Sequence, residues 1–111
     1  MGTTPSANEV RVEGRVSGVA TERVLPSGDR LVAIRVVVAR PPRRARPGAT
    51  VDTFDCVAWT ARAREALLGL CPSDQVAITG ALRRRFWRGE QGTSSRIEIE
   101  ISRVRRLRQP S

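Results

Sequence analysis

Apolar and polar residues alternate with a period of two over four stretches of the chain, and with a helical period over a fifth. In residues 9–16, Val10, Val12, Gly14 and Val16 alternate with Arg11, Glu13 and Arg15, the signature of a half-buried strand. Gly14 offers no side chain to pack, and predicts a bulge or sharp bend of the kind that lets a small sheet coil. Pro26, Ser27 and Gly28 predict a turn, and residues 31–39 a second strand with Val32, Ile34, Val36 and Val38 on one face, pairing with the first as a hairpin. Residues 51–59 read as a third strand. Residues 61–70 read as a short helix with Ala63, Ala66, Leu67 and Leu70 on one stripe, ended by Cys71 and Pro72. Val76, Ile78, Gly80 and Leu82 form a fourth strand. After a polar, Gly-containing loop, Ile97, Ile99 and Ile101 alternate with Glu98, Glu100 and Ser102 as a fifth.

Three strands, a helix and two strands, in that order, predict an all-β chain with one short helix: the OB-fold, a five-stranded Greek-key barrel. Some other small α+β barrel would present the same periodicity. Residues 8–108 are taken as the domain, with 1–7 as a flexible N-terminus and 109–111 as a short C-terminal tail.

Charge adds the first hint of function. Of 111 residues, 20 are basic and 11 acidic, a formal charge of +9, and every basic residue is arginine. A planar guanidinium pairs with phosphate and stacks on bases, so the composition favours nucleic acid, although a general bias toward arginine would give the same excess. Residues 40–48, RPPRRARPG, form an exposed basic loop that three prolines and a glycine exclude from any central strand. No histidine is present and the two cysteines, Cys56 and Cys71, are too few for a metal site or disulfide framework. No metal or cofactor is therefore expected, and both thiols read as inert packing groups. With neither a leader pattern nor a long apolar run, no membrane association is expected and the location read from the sequence is cytoplasmic.

Four segments resemble the bacterial single-stranded DNA-binding protein family: NEVRVEGRV, LPSGDRLVAIRVVVA, FDCVAW followed by ARARE, and DQVAITGALRRRFW. The resemblance implies the OB-fold and single-stranded DNA wrapped over the sheet and its hairpins, in replication, repair or recombination. It also implies a homo-oligomer, dimer or tetramer, in which first strands associate. Carried onto matching positions, it makes Phe54 and Trp87 stacking aromatics. A further family aromatic near the end of strand two falls around Pro42 or Arg43, so that stacking contact is either lost or replaced by arginine. The family's acidic, Phe-ended tail has no counterpart in RVRRLRQPS, so tail-dependent genome-maintenance partners are not expected.

A protein that grips single strands without reading sequence needs flat faces for bases and a positive track for phosphates. RRRFWR supplies both: Arg83, Arg84, Arg85 and Arg88 around Phe86 and Trp87, placed in a hairpin whose alternation sends the two rings to opposite faces. Of the two, Trp87 is the expected stacking ring. Arg43, Arg44 and Arg46 form a second basic cluster, which a merely solvated loop would equally explain. Trp59 points to the core if alternation runs strictly from an outward Phe54, and to the ligand if it is shifted by one. Arg35, Arg103, Arg105, Arg106 and Arg108 either line the groove or face water. The alternatives are a primosomal-replication-type OB helper and an RNA-binding OB module. An enzyme is not expected, because no nucleophile stands near a base and no carboxylates cluster.

Overall fold

The computed structural model, which describes residues 5–108, closes the alternating segments into one barrel. The ends read as flexible fall partly outside it: residues 1–4 and 109–111 lie outside the described residues. Five strands appear, β1 (Val10–Val24), β2 (Arg30–Ala39), β3 (Val51–Ala58), β4 (Gln75–Gly89) and β5 (Gly92–Arg108), with helix α1 (Ala61–Leu68) between β3 and β4. Their order around the barrel is β1-β2-β3-β5-β4, the expected OB-fold.

Closure depends on β1 serving two neighbours. Residues 10–15 pair antiparallel with 75–80 of β4, and from Arg15 onward the strand pairs with β2, out to Val24 opposite Arg30. On the far side, β3 and β5 meet in parallel at Cys56–Ile99 and Val57–Glu100. The valines and isoleucines of the alternating pattern point inward: Val16, Val32, Ile34, Val36, Val76, Ile78, Ile99 and Ile101 are all buried in one cluster. Leu31 and Val37, on the other face of β2, are buried as well, so that strand is covered on both sides.

The bend expected at Gly14 has a specific cause. A Cβ there would overlap the carbonyl oxygen of Val37, because the backbones of β1 and β2 come together where β1 changes partner. The bulge itself lies further on, between Ser17 and Thr21, where Gly18 adopts a φ of 84°. Gly80 is a second close approach: a Cβ would overlap the carbonyl oxygen of Glu100, beside a register shift between Thr79 and Gly80.

Helix α1 starts at Thr60, whose Oγ1 accepts a hydrogen bond from the Ala63 N–H at 3.2 Å. Ala63 and Leu67 are buried against the barrel and Leu70 packs at its edge, whereas Ala66, expected on the same stripe, is exposed. Eight residues present only a narrow stripe, and the helix ends at Gly69 rather than at Cys71. Asp74, 1% exposed, secures the return into β4: its Oδ2 accepts from the Cys71 N–H at 2.8 Å and from Arg106 Nε at 3.1 Å. Arg106 also donates to the Gly69 carbonyl at 2.6 Å, so this arginine is a structural clamp. No helix among the described residues is long and apolar enough to cross a membrane.

The two thiols differ, contrary to the expectation that both pack. Cys56 is fully buried, and desolvation, reinforced by the charges of Asp55 and Glu98, pushes its pKa up to about 12. Cys71 is exposed, because the turn that follows α1 runs over the surface.

Two outcomes follow from this packing. In urea titrations, Gly80→Ala loses about 1–3 kcal/mol of stability through overpacking against the β5 backbone. Gly69→Ala, whose added carbon meets only ordinary contacts, stays within about 0.5 kcal/mol of the parent; equal effects would mean that the close approach is not real. Thiol labelling of the native protein near pH 8 modifies Cys71 and leaves Cys56 unmodified until denaturant is added.

Candidate nucleic-acid interface

Beyond Leu82 the barrel opens into a ribbon. Asn8 closes the β1 side: its Nδ2 donates to the Leu82 carbonyl at 2.8 Å and its Oδ1 accepts from the Leu82 N–H at 2.9 Å. Past this point β4 and β5 continue alone, paired through Gly89–Gly92 around a two-residue turn in which Gly92 has a φ of 108°. RRRFWR is thus continuous strand, not loop. A two-stranded ribbon is marginal by itself. Here cross-strand side chains support it: Arg83 pairs with Glu100, Arg85 with Glu98 at 3.2 Å, and Arg84 donates to Ser95 Oγ at 3.2 Å.

Alternation along β4 sets Arg83, Arg85 and Trp87 on the outer face and Arg84, Phe86 and Arg88 on the other, as the sequence implied for the two rings. Both rings are open to solvent, Phe86 at 67% and Trp87 at 49% exposure. On β3, by contrast, the outward position carried over for Phe54 is not found, and of the two readings left open for Trp59 the structure shows the outward one. Phe54 sits opposite Val36, on the same side as the buried Cys56 and Ala58, and packs half-buried against the core cluster. The structure therefore does not bring Phe54 together with Trp87. Trp59, on the opposite parity, is turned outward, and the Arg85 guanidinium lies over its ring at 5.7 Å from the centroid. Arg96 lies over the Trp87 ring in the same way at 6.0 Å.

One carboxylate joins these two stacks. Glu98 accepts from Arg85 through Oε1 and lies 3.9 Å from Arg96, so Trp59, Arg85, Glu98, Arg96 and Trp87 form a continuous line across the outer face. Glu98, one of the polar residues alternating with isoleucine on β5, is only 2% exposed and pairs with Arg85 and Arg96. Asp55, at 3.3 Å from Arg35 and 3.9 Å from Arg96, continues the network to β2. Four arginines, Arg35, Arg83, Arg85 and Arg96, therefore meet three carboxylates on this face, which leaves it close to neutral. Arg23, Arg85, Phe86, Trp87 and Arg96 line a cleft of about 290 Å³ beside the ribbon. Sequence reading missed Arg96, Glu98, Asp55 and Arg23; charge alternating with isoleucine on strand five was the one available signal.

Uncompensated charge lies at the rim. Arg40 closes the base of the 40–48 loop with two hydrogen bonds to Asp52, at 3.0 and 2.7 Å. That hydrogen bonding holds the Asp52 carboxyl below its ordinary range and raises Arg40. Past it, Arg43 and Arg44 occupy an exposed turn of 3-10 helix (Pro42–Arg44), and Arg46 bridges to Ala49 through its backbone. Arg43, Arg44, Arg46 and Arg88 make no ion pair among the described residues. Because β3 and β5 run parallel, this loop and the tip of the β4–β5 ribbon leave the barrel at the same end.

Strand order, helix position and the arginine-stacked rings on the outer face define an OB-fold protein with an aromatic, arginine-rich surface. The chain belongs to the single-strand binding protein family, whose model matches residues 7–107, in agreement with the resemblance read from sequence. Among solved structures the fold is similar to one described as "Plasmodium falciparum SSB complex with ssDNA", 18% identical, covering 96% of this chain and 99% of that one with a TM-score of 0.76. No curated protein matches.

Proposed function

We propose that this protein binds single-stranded DNA without a fixed sequence, stacking bases on Trp59 and Trp87 and holding phosphates with the rim arginines Arg43, Arg44, Arg46, Arg84 and Arg88. The observation that carries the reading is the pair of outward tryptophans, each already covered by a guanidinium. A flat cation over a ring occupies the position that a base would take, so both faces are preformed for a planar partner. Membership of the single-strand binding family supports the same ligand.

The free protein keeps Arg85 and Arg96 paired to Glu98. An incoming strand replaces guanidinium by base on each ring, and releases the arginines toward phosphate. Binding is then an exchange of partners, and its free energy is the difference between two sets of contacts. The module acts by holding a strand and not by chemistry. It serves DNA exposed during replication, repair or recombination in the cytoplasm, as a dimer or tetramer that places several such faces along one strand.

Titration with oligo-dT quenches tryptophan emission, and log K falls against log salt by about 0.7 per phosphate neutralised. Trp87→Ala and Trp59→Ala each weaken binding by about 1–3 kcal/mol. Phe54→Ala instead lowers the melting temperature, with affinity of the folded fraction nearly unchanged. Absence of quenching at low salt, or loss of affinity only with Phe54, defeats the proposal. Equal-length RNA competes less well than DNA; a preference for RNA would move the assignment to an RNA-binding module.

A further inference from the structure

Beside the line of stacked rings lies a second cleft, of about 250 Å³, between the bulge of β1 and the outer faces of β2, β3 and β5. Ala33 and Val57 provide an apolar wall, and Arg35, Asp55, Arg96 and Glu98 provide its polar groups. Arg96 belongs to this cleft and to the one that holds Trp87, so the two adjoin.

Glu98 is the unusual member. Its side chain is 1% exposed; Oε1 accepts a hydrogen bond from Arg85, while Oε2 is buried without any hydrogen-bond partner among the described residues. The nearest cation, Arg96 Nη2, stands at 3.9 Å, beyond hydrogen-bond reach. A buried carboxylate oxygen lacking a donor is costly, and such atoms are rare unless something supplies one. Phosphate is not favoured, because Asp55 and Glu98 offset Arg35 and Arg96 and leave the cleft without net positive charge. A metal ion is not favoured either, since no group of three or more ligating side chains occurs among the described residues. What suits the cleft is a flat group that carries an N–H donor on its edge.

We infer that this cleft takes a nucleobase bearing an exocyclic amino group, cytosine in the first instance, whose amino N–H is accepted by the Glu98 carboxylate. The inference rests on the strand-binding reading above and refines it: most of the track is indifferent to sequence, and one position discriminates. Carboxylates accept from the cytosine amino group, whereas uracil and thymine present a carbonyl oxygen at the same ring position, which cannot donate to the unsatisfied Glu98 oxygen. Because Arg96 walls both clefts, the base held here neighbours the base stacked on Trp87.

The test compares oligo-dC with oligo-dU of equal length, which differ at C4 and in the proton on the adjacent N3, by tryptophan quenching of the parent and of Glu98→Gln. The parent is expected to prefer oligo-dC by about fivefold or more. In Glu98→Gln, whose amide can donate to the uracil oxygen, the preference shrinks to less than about twofold. Ala33→Leu, which narrows the cleft and leaves the carboxylate in place, lowers oligo-dC affinity to the oligo-dU level and covers the case in which the Glu98 variant does not fold. Equal binding of the two oligomers by the parent overturns the base pocket alone. A preference that survives both substitutions overturns it too, and failure of the parent to bind either oligomer removes the strand-binding reading with it.

Discussion

The double pairing of β1 is the constraint from which the rest of the molecule follows. One strand gives its first half to β4 and its second to β2, and at the change of partner its backbone comes into contact with that of β2 at Gly14. Without that sharing the sheet would be left with open edges. Closure also decides what stands next to what on the outside. It forces β3 and β5, which no short connection joins, into a parallel meeting at Cys56 and Val57. Asp55 and Glu98 become neighbours there, and Trp59 comes within reach of Arg85 from β4. The functional face is thus a consequence of how the barrel is shut.

On that face the protein's high positive charge is locally spent. Arg35, Arg83, Arg85 and Arg96 are tied to Asp55, Glu98 and Glu100, whereas Arg43, Arg44 and Arg46 of the 40–48 loop and Arg88 at the ribbon's end have no ion pair among the described residues. Such a division suits a ligand with two kinds of surface. On the proposed reading, bases meet rings on a floor whose charge is largely offset, and phosphates meet guanidiniums that have no ion pair among the described residues. The exposed pairs, Arg35 with Asp55 and Arg83 with Glu100, contribute little to stability. The buried Glu98 carboxylate is what holds Arg85 and Arg96 in one orientation over the tryptophans.

The core was legible in the sequence because a buried strand face must be apolar: Val32, Ile34 and Val36, or Ile99 and Ile101, could hardly read otherwise. Strand length was not. Residues 17–24, 83–89, 92–96 and 103–108 are paired through backbone hydrogen bonds and exposed cross-strand contacts, which leave no apolar period to detect. The parity of β3 was also hidden, because Val57 is buried on the outer side and Cys56 and Ala58 on the inner, so apolar residues occur on both faces. Period alone could not say whether Phe54 or Trp59 pointed outward. Glu98 was invisible for a related reason: alternation distinguishes two faces, but whether the outer one is open or roofed by arginines depends on strands far apart in sequence.

The position at the end of strand two, where the family resemblance implies an aromatic and this chain has the Pro42–Arg44 turn, shows how the same task can be met by different forces. A ring binds a base through stacking, which salt barely affects; a guanidinium can lie on a base as well, but also draws phosphate, whose neutralisation releases counterions. Replacing one by the other moves binding free energy from a salt-insensitive to a salt-sensitive source. A similar arrangement lies inside the candidate site, where Arg85 and Arg96 cover ring faces that the proposal assigns to bases. With two tryptophans and no tyrosine in the chain, stacking capacity is limited. If the strand binds as proposed, the arginines carry a larger share of the grip, and salt loosens it more than it would on a surface richer in rings.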